Sequence, residues 1–342
     1  MLWIKFLLSA VVIVAAGTQL TRHAEKITHH LGLGAIWGGA LLLPLATSLP
    51  ELVTSWRAGS IGAPDLAVGN VLGSSLFNLA LIALIDLFQG KGALLSRLDH
   101  RHIMTASLLV FLLSLVAVSL FSPVHPSLGW VGVDTLLVVV LYLAGSYLIT
   151  KGTRGREPRE PREEEEPEES PRNTAGEKPG SRQERYVPYI IFILAGLLIV
   201  VAGINLTDSA EAIARHTGLG RTFVGSLLLA LSTSLPEIVT TFTAVRLGML
   251  DMALANVFGA STMNITILFF ADVFYKQAPI LSDVSQGHLI TLNFVIALTA
   301  VAIFSLIYRT KKEIAYLGYD AVIILVGYML AFVFLFYMEV VH

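Results

Sequence analysis

Residues 17–88 and 203–274 are two copies of one sequence. At a constant offset of 186 they align without a gap, with roughly 33 of the 72 positions identical, so the fold must be built twice from one unit. Matched pairs include Thr21/Thr207, Glu25/Glu211, Gly34/Gly220, Asp65/Asp251, Asn70/Asn256, Gly73/Gly259 and Asn78/Asn264. Each copy carries the same five residues at its centre: Thr47-Ser48-Leu49-Pro50-Glu51, and again Thr233-Ser234-Leu235-Pro236-Glu237.

Both copies are strongly apolar, and the chain as a whole has 55% hydrophobic and 14% charged residues with a mean hydropathy of +0.73. Such values place it outside soluble domains. Apolar windows long enough to span a bilayer fall near 2–20, 36–58, 65–88, 102–121 and 129–149, then 187–206, 222–245, 251–275, 288–308 and 315–338. The expected fold is therefore an all-α polytopic membrane protein with ten transmembrane helices. Five spans per copy is an odd number, so the second copy must enter the membrane with opposite polarity, as two inverted five-helix repeats. The first repeat is expected over 1–150 and the second over 187–342. Between them, 151–186 is rich in Pro, Glu and Arg, includes Glu163-Glu164-Glu165-Glu166, and reads as a disordered cytoplasmic linker. The first apolar run shows no convincing cleavage site and reads as a retained span.

The five-residue motif places a carboxylate and a proline inside an apolar span. An ionisable residue at membrane depth costs at least roughly 2.5–3.5 kcal/mol, so two in matched positions point to an ion pathway rather than to packing. Pro50 and Pro236 have no N–H to give to the carbonyls of Ala46 and Ser232, which frees backbone oxygen beside Glu51 and Glu237. Hydroxyls, carbonyls and one carboxylate within six residues form a hard-oxygen environment suited to Na⁺ or Ca²⁺. In the third span Asn70, Ser74 and Asn78 recur every four residues and share a helix face, with Gly69 and Gly73 allowing a close helix approach. Their counterparts in the eighth span are Asn256, Ala260 and Asn264, with Gly259.

Other polar residues read as structural. Glu25 and Glu211, near basic side chains at span ends, suit capping or salt bridges, and Asp86 and Asp272 are read the same way. Asp134 has no evident counterpart in the second copy. The nine His show no metal-ligand spacing, and the absence of Cys excludes disulfides and thiolate chemistry. Placing both termini outside puts 18 of the 23 Lys and Arg on the cytoplasmic side, which favours that orientation, in an inner or plasma membrane.

The doubled motif, with Gly69-Asn70-Val71-Leu72-Gly73-Ser74-Ser75-Leu76-Phe77-Asn78 in one copy and Asn256 to Asn264 in the other, resembles the alpha-repeats of the Ca²⁺/cation antiporter superfamily, in its Na⁺/Ca²⁺ exchanger branch. The first alpha-repeat motif would cover 46–78 and the second 232–264. The resemblance implies that Glu51 and Glu237 bind Ca²⁺ with carbonyls of Thr47 and Thr233, while Ser48, Ser234, Ser74, Asn78 and Asn264 complete Na⁺ sites. Ala260 departs from the family's Ser and Ala255 from its Gly, and Asn264 stands where some members carry Asp. Ser261 cannot replace the lost hydroxyl, because one residue along a helix turns the side chain by about 100°.

The expected function is a secondary antiporter, not an enzyme, exchanging Ca²⁺ for Na⁺ by alternating access. A H⁺/Ca²⁺ antiporter using the same glutamates is the alternative, and a cation channel a more distant one. Beyond the transported ions and the bilayer, no cofactor, nucleic acid or protein partner is expected.

Overall fold

Inside a bilayer there is no water to satisfy backbone polar groups, so an apolar run must close its hydrogen bonds within itself. The computed structural model describes residues 2–31, 46–89, 93–154, 182–309, 313–314 and 317–341, and these are almost entirely helical. In chain order the helices are α1 (Leu2–Leu31), α2 (Leu49–Ser60), α3 (Pro64–Gln89), α4 (His102–Phe121), α5 (Val133–Arg154) and α6 (Arg182–Thr217). There follow α7 (Arg221–Thr233), α8 (Leu235–Arg246), α9 (Leu250–Phe274), α10 (His288–Tyr308) and α11 (Tyr319–Val341). Two small antiparallel hairpins pair Ser127–Leu128 with Val131–Gly132 before α5, and Glu313–Ile314 with Leu317–Gly318 before α11.

Among the described residues eight helices are long and apolar enough to cross a membrane, and α7 with α8 makes a ninth as a pair bent by 47°. The span expected at 36–58 begins in residues outside the described ones; α2 is its described part. The linker is shorter at both ends than its composition suggests, since α5 runs on to Arg154 and α6 begins at Arg182, and 155–181 lies outside the described residues.

Helices α3 and α9 are buried along most of their length and form the centre of the bundle. Close approach there depends on glycine: a Cβ on Gly73 would run into the backbone of Ser226, and one on Gly69 would lie 3.0 Å from the Ser226 nitrogen.

The two copies hold each other through carboxylates. Asp86 accepts hydrogen bonds from the backbone N–H of Leu94 (2.7 Å) and, across the copies, of Gly318 (2.7 Å). Asp272 accepts from Ile280 (2.8 Å) and, across the copies, from Gly132 (2.8 Å). Likewise Asp65 accepts from the Ser285 N–H and His288 Nε2, and Asp251 from the Asp99 N–H and His102 Nε2. Each member of one set is the other shifted by 186, and each bond crosses between copies in the opposite sense, the pattern that a two-fold relation produces. Asp86 and Asp272 are thus caps, as expected, but they are 1% and 0% exposed rather than set at an interface.

The hairpins correct the reading of Asp134. Ser127 pairs with Gly132 and Glu313 with Gly318, so the 186-residue correspondence continues past Phe88 and Phe274, and Asp320 is the counterpart of Asp134. Ser119 hydrogen-bonds Asp134, and Ser305, the counterpart of Ser119, lies beside Asp320. Both aspartates open a helix, where a carboxylate suits the positive end of the helix dipole.

Helices α1 and α6 pack along each other at one side of the bundle. They meet α2 through a separate apolar seam of Ala16, Leu20, Ala24, Ala46, Val53, Ala195 and Ile199. The pair is not placed symmetrically. A Cβ on Gly17 of α1 would lie 2.7 Å from Pro236 Cγ, whereas one on Gly203 of α6 would lie 2.8 Å from Val53 Cγ1. A symmetric seat would put Gly203 over Pro50, so the two contacts are three residues out of register, about 4.5 Å along a helix.

Candidate functional site

The prolines break the helices where the sequence places them. Helix α7 stops at Thr233, Ser234 interrupts it, and α8 restarts at Leu235 with Pro236 in its first turn; α2 begins at Leu49 with Pro50 in the same position. A proline costs nothing in a first turn, because its missing N–H would be unpaired there anyway. The restart also puts Glu51 and Glu237 in the first turn of α2 and α8, where the helix dipole favours negative charge.

Both carboxylates are buried, Glu51 at 0% and Glu237 at 1% exposure, and among the described residues no cationic side chain pairs with either. Ser234 donates to Glu51 Oε1 at 2.9 Å, which joins the second copy's motif to the first copy's carboxylate.

Asn70 holds the two motifs in place. Its Nδ2 donates to the Thr54 and Ser55 hydroxyls (2.9 Å each) and toward the Glu51 carbonyl (3.3 Å), while its Oδ1 accepts from Thr233 Oγ1 (3.1 Å). Every polar atom of this amide is used by protein, so Asn70 positions α2 against α7 rather than facing a ligand. Asn256 does part of the same work, donating to the Thr240 and Thr241 hydroxyls. The Thr233 hydroxyl also lies 3.1 Å from the Ala230 carbonyl, so both acceptors for its one hydrogen belong to the protein.

Most buried hydroxyls in these helices fold back onto a carbonyl one turn earlier, as Thr54, Ser75, Ser232 and Ser261 do. The site is different. Among the described residues, Ser48 Oγ, Glu51 Oε2, Ser74 Oγ, both amide atoms of Asn78, both carboxylate oxygens of Glu237 and both amide atoms of Asn264 are buried with no protein partner. Leaving one such group unpaired costs about 1–3 kcal/mol, so nine such atoms on the motif turns and on α3 and α9 are a feature that packing alone does not account for. The set carries two carboxylates, so its charge suits a cation. No group of three or more His, Cys, Asp or Glu gathers among the described residues, which leaves hydroxyl, amide and carbonyl oxygens to complete any coordination.

Thr47 is buried beside this set at 1% exposure. Ala260 adds no hydroxyl, and the Ser261 hydroxyl is spent on the Val257 carbonyl at 2.8 Å, as its position on the helix implies. Ser226 is a residue the sequence did not single out: it is 1% exposed, its hydroxyl has no partner, and it lies in the π-helical turn Gly225–Leu229 against Gly73. Its counterpart is Ala40, so a comparison of the copies passes over it; a hydroxyl seven residues before Thr233, in an otherwise apolar run, was the available signal. Glu211 forms salt bridges with Arg215 (2.6 Å) and Arg221, in keeping with a structural role, while the Glu25 side chain lies outside the described residues.

The chain matches the family described as "Sodium/calcium exchanger protein" over residues 1–151 and 187–340. It is 28% identical over 362 residues to the sodium/calcium exchanger MaX1 of Methanosarcina acetivorans, with 97% of each chain covered. Among solved structures it resembles the H⁺/Ca²⁺ exchanger CAX, with a TM-score of 0.68 at 15% identity over 99% of this chain and 86% of that one. It also resembles the sodium-calcium exchanger NCX_Mj, with a TM-score of 0.57 at 19% identity over 97% of this chain and 99% of that one.

Proposed function

This chain belongs to the sodium/calcium exchanger protein family, and we propose that it is an antiporter that exchanges Ca²⁺ for Na⁺ at one site built from both copies of its repeat. The observation that carries this reading is the cluster of buried, unpartnered oxygens and amides around Glu51 and Glu237. Two carboxylates balance one Ca²⁺, with the carbonyls of Thr47 and Thr233 as further oxygens. Ser48, Ser234, Ser74, Asn78 and Asn264 supply the neutral groups that monovalent Na⁺ can share. Exchange follows because the same oxygens cannot hold both loads at once.

In this reading the chain has ten spans arranged as two inverted five-helix repeats, the first over 1–150 and the second over 187–342. The crossed hydrogen bonds of Asp86 and Asp272 and of Asp65 and Asp251 support a two-fold relation, and five spans per copy supply the inversion. The 151–186 connection lies in the cytoplasm, and both termini face outward from a cell membrane. Alternating access comes from α1 and α6 sliding together over the apolar seam, and their three-residue offset marks one end of that movement.

A proton-coupled exchange at the same glutamates is the second reading, favoured by one observation: Ala260 and Asn264 leave the site with fewer hydroxyl and carboxylate ligands for Na⁺. Ca²⁺ uptake into vesicles containing the purified protein separates them. Uptake driven by an outward Na⁺ gradient at constant pH supports the Na⁺ reading; uptake that follows only a pH jump replaces it.

A further inference from the structure

Among the described residues, helix α6 is tied to the bundle by ion pairs and α1 shows none. Arg57 of α2 meets Asp208 of α6 through two bonds, Nε to Oδ1 at 2.8 Å and Nη2 to Oδ2 at 3.1 Å. Three residues further along, Glu211 of α6 accepts from the guanidinium of Arg221, the first residue of α7, with Nε at 2.9 Å from Oε2. Next to Asp208, the Thr207 hydroxyl bonds the Gly203 carbonyl of its own helix at 2.9 Å and lies 3.3 Å from the Thr54 carbonyl of α2.

The same positions around α1 cannot form either pair in any conformation. Shifted by 186, Arg57 becomes Thr243 and Asp208 becomes Arg22; Arg221 becomes Ala35 opposite Glu25. Thr243 spends its hydroxyl on the Val239 carbonyl of its own helix. On the α1 side the structure instead has a groove of 730 Å³ lined by residues that include Val14, Thr18, Leu231 and Leu235. The α6 side thus carries two ion pairs where the α1 side carries a groove.

We propose that Arg57–Asp208 and Arg221–Glu211 form a one-sided ionic clamp that holds α6 in its present seat and so sets the resting balance between the two access states. The proposal rests on the sliding described above. A shift of three residues, about 4.5 Å, carries Asp208 out of reach of Arg57, so the clamp exists in only one of the two states. The opposite state has no ionic counterpart to replace it. Repeat symmetry alone would make the two states equally stable, and the clamp is what makes them unequal.

Because the chain has no cysteine, single thiols report both sides. Thr207→Cys places one in the closed seam and Thr18→Cys places one in the open groove, and each is labelled with a small methanethiosulfonate. Adding Asp208→Asn should speed labelling at Thr207→Cys by about two- to fivefold, the range available to an ion pair one-third exposed, and slow it at Thr18→Cys. The exchanged pair Arg57→Asp with Asp208→Arg should return both rates toward the starting values, and Arg22→Gln should change neither. Arg57→Lys, which keeps the charge but loses the two-pronged contact, should fall between and covers the case in which a neutralised variant does not fold. Unchanged rates in Asp208→Asn, a rise at Thr207→Cys with none of the reciprocal fall at Thr18→Cys, or failure of the exchanged pair to restore the rates would each overturn the clamp. Labelling needs no transport, so it decides the clamp separately from which ions are exchanged.

Discussion

Ser234 Oγ lies 2.9 Å from Glu51 Oε1 and donates to it, while the equivalent hydroxyl, Ser48, makes no bond and leaves both oxygens of Glu237 without a protein partner. One carboxylate of the site is thus partly held by the protein and the other is not. Losing a hydrogen bond to a buried charge costs about 1.5–3 kcal/mol. Ser234→Ala is therefore expected to weaken Ca²⁺ binding by about tenfold or more, and Ser48→Ala by clearly less. Equilibrium Ca²⁺ titration of both purified variants checks the difference, and equal losses would contradict it.

Ala260 is the central position at which the copies differ in a hydroxyl, and Ser261 is committed to Val257. Restoring the group with Ala260→Ser is expected to raise apparent Na⁺ affinity or the steepness of the Na⁺ response, with little change in Ca²⁺ affinity. Na⁺ needs several neutral oxygens, whereas Ca²⁺ is held mainly by two carboxylates. A Na⁺ titration at fixed pH measures this; a flat response in both wild type and variant would favour the proton-coupled reading.

The crossed caps give a prediction about stability. Asp86→Ala strips the Leu94 and Gly318 N–H groups of their acceptor, and Asp272→Ala does the same to Ile280 and Gly132. Each is expected to cost about 2–4 kcal/mol, since buried donors lose a charged partner. Thermal melts in detergent should show similar drops for the two variants. A large drop for one and none for the other would contradict the matched exchange of contacts.

The acidic run from Glu163 to Glu166 contributes no site in this account. Replacing residues 156–180 by a Gly-Ser chain of equal length should leave Ca²⁺ uptake within about twofold of wild type. Loss of uptake in correctly inserted protein would assign the run a role.

The sequence made the motif and its duplication legible because Thr47 to Glu51 and Thr233 to Glu237 are under chemical constraint. It located α4 and α10 to the residue, since charged or polar residues bound each apolar run sharply. Asp320 was missed as the partner of Asp134 because the lipid-facing helices between need only be apolar, which erases identity while preserving position. Ser226 was missed because only one copy carries the hydroxyl. The one-sided seat of α1 and α6 could not be read at all: a single sequence encodes both ends of a sliding movement equally, and only coordinates show which end is occupied.

The central claim is that Glu51 and Glu237, one from each copy, together hold the transported Ca²⁺. Equilibrium binding of radioactive Ca²⁺ to purified wild type, Glu51→Gln and Glu237→Gln tests it most directly, with Glu25→Gln as a control outside the site. Each motif variant removes half of the balancing charge and should lose at least about a hundredfold in affinity, with the control unchanged and all four proteins running as a single folded species. Near wild-type binding in either motif variant would contradict the account.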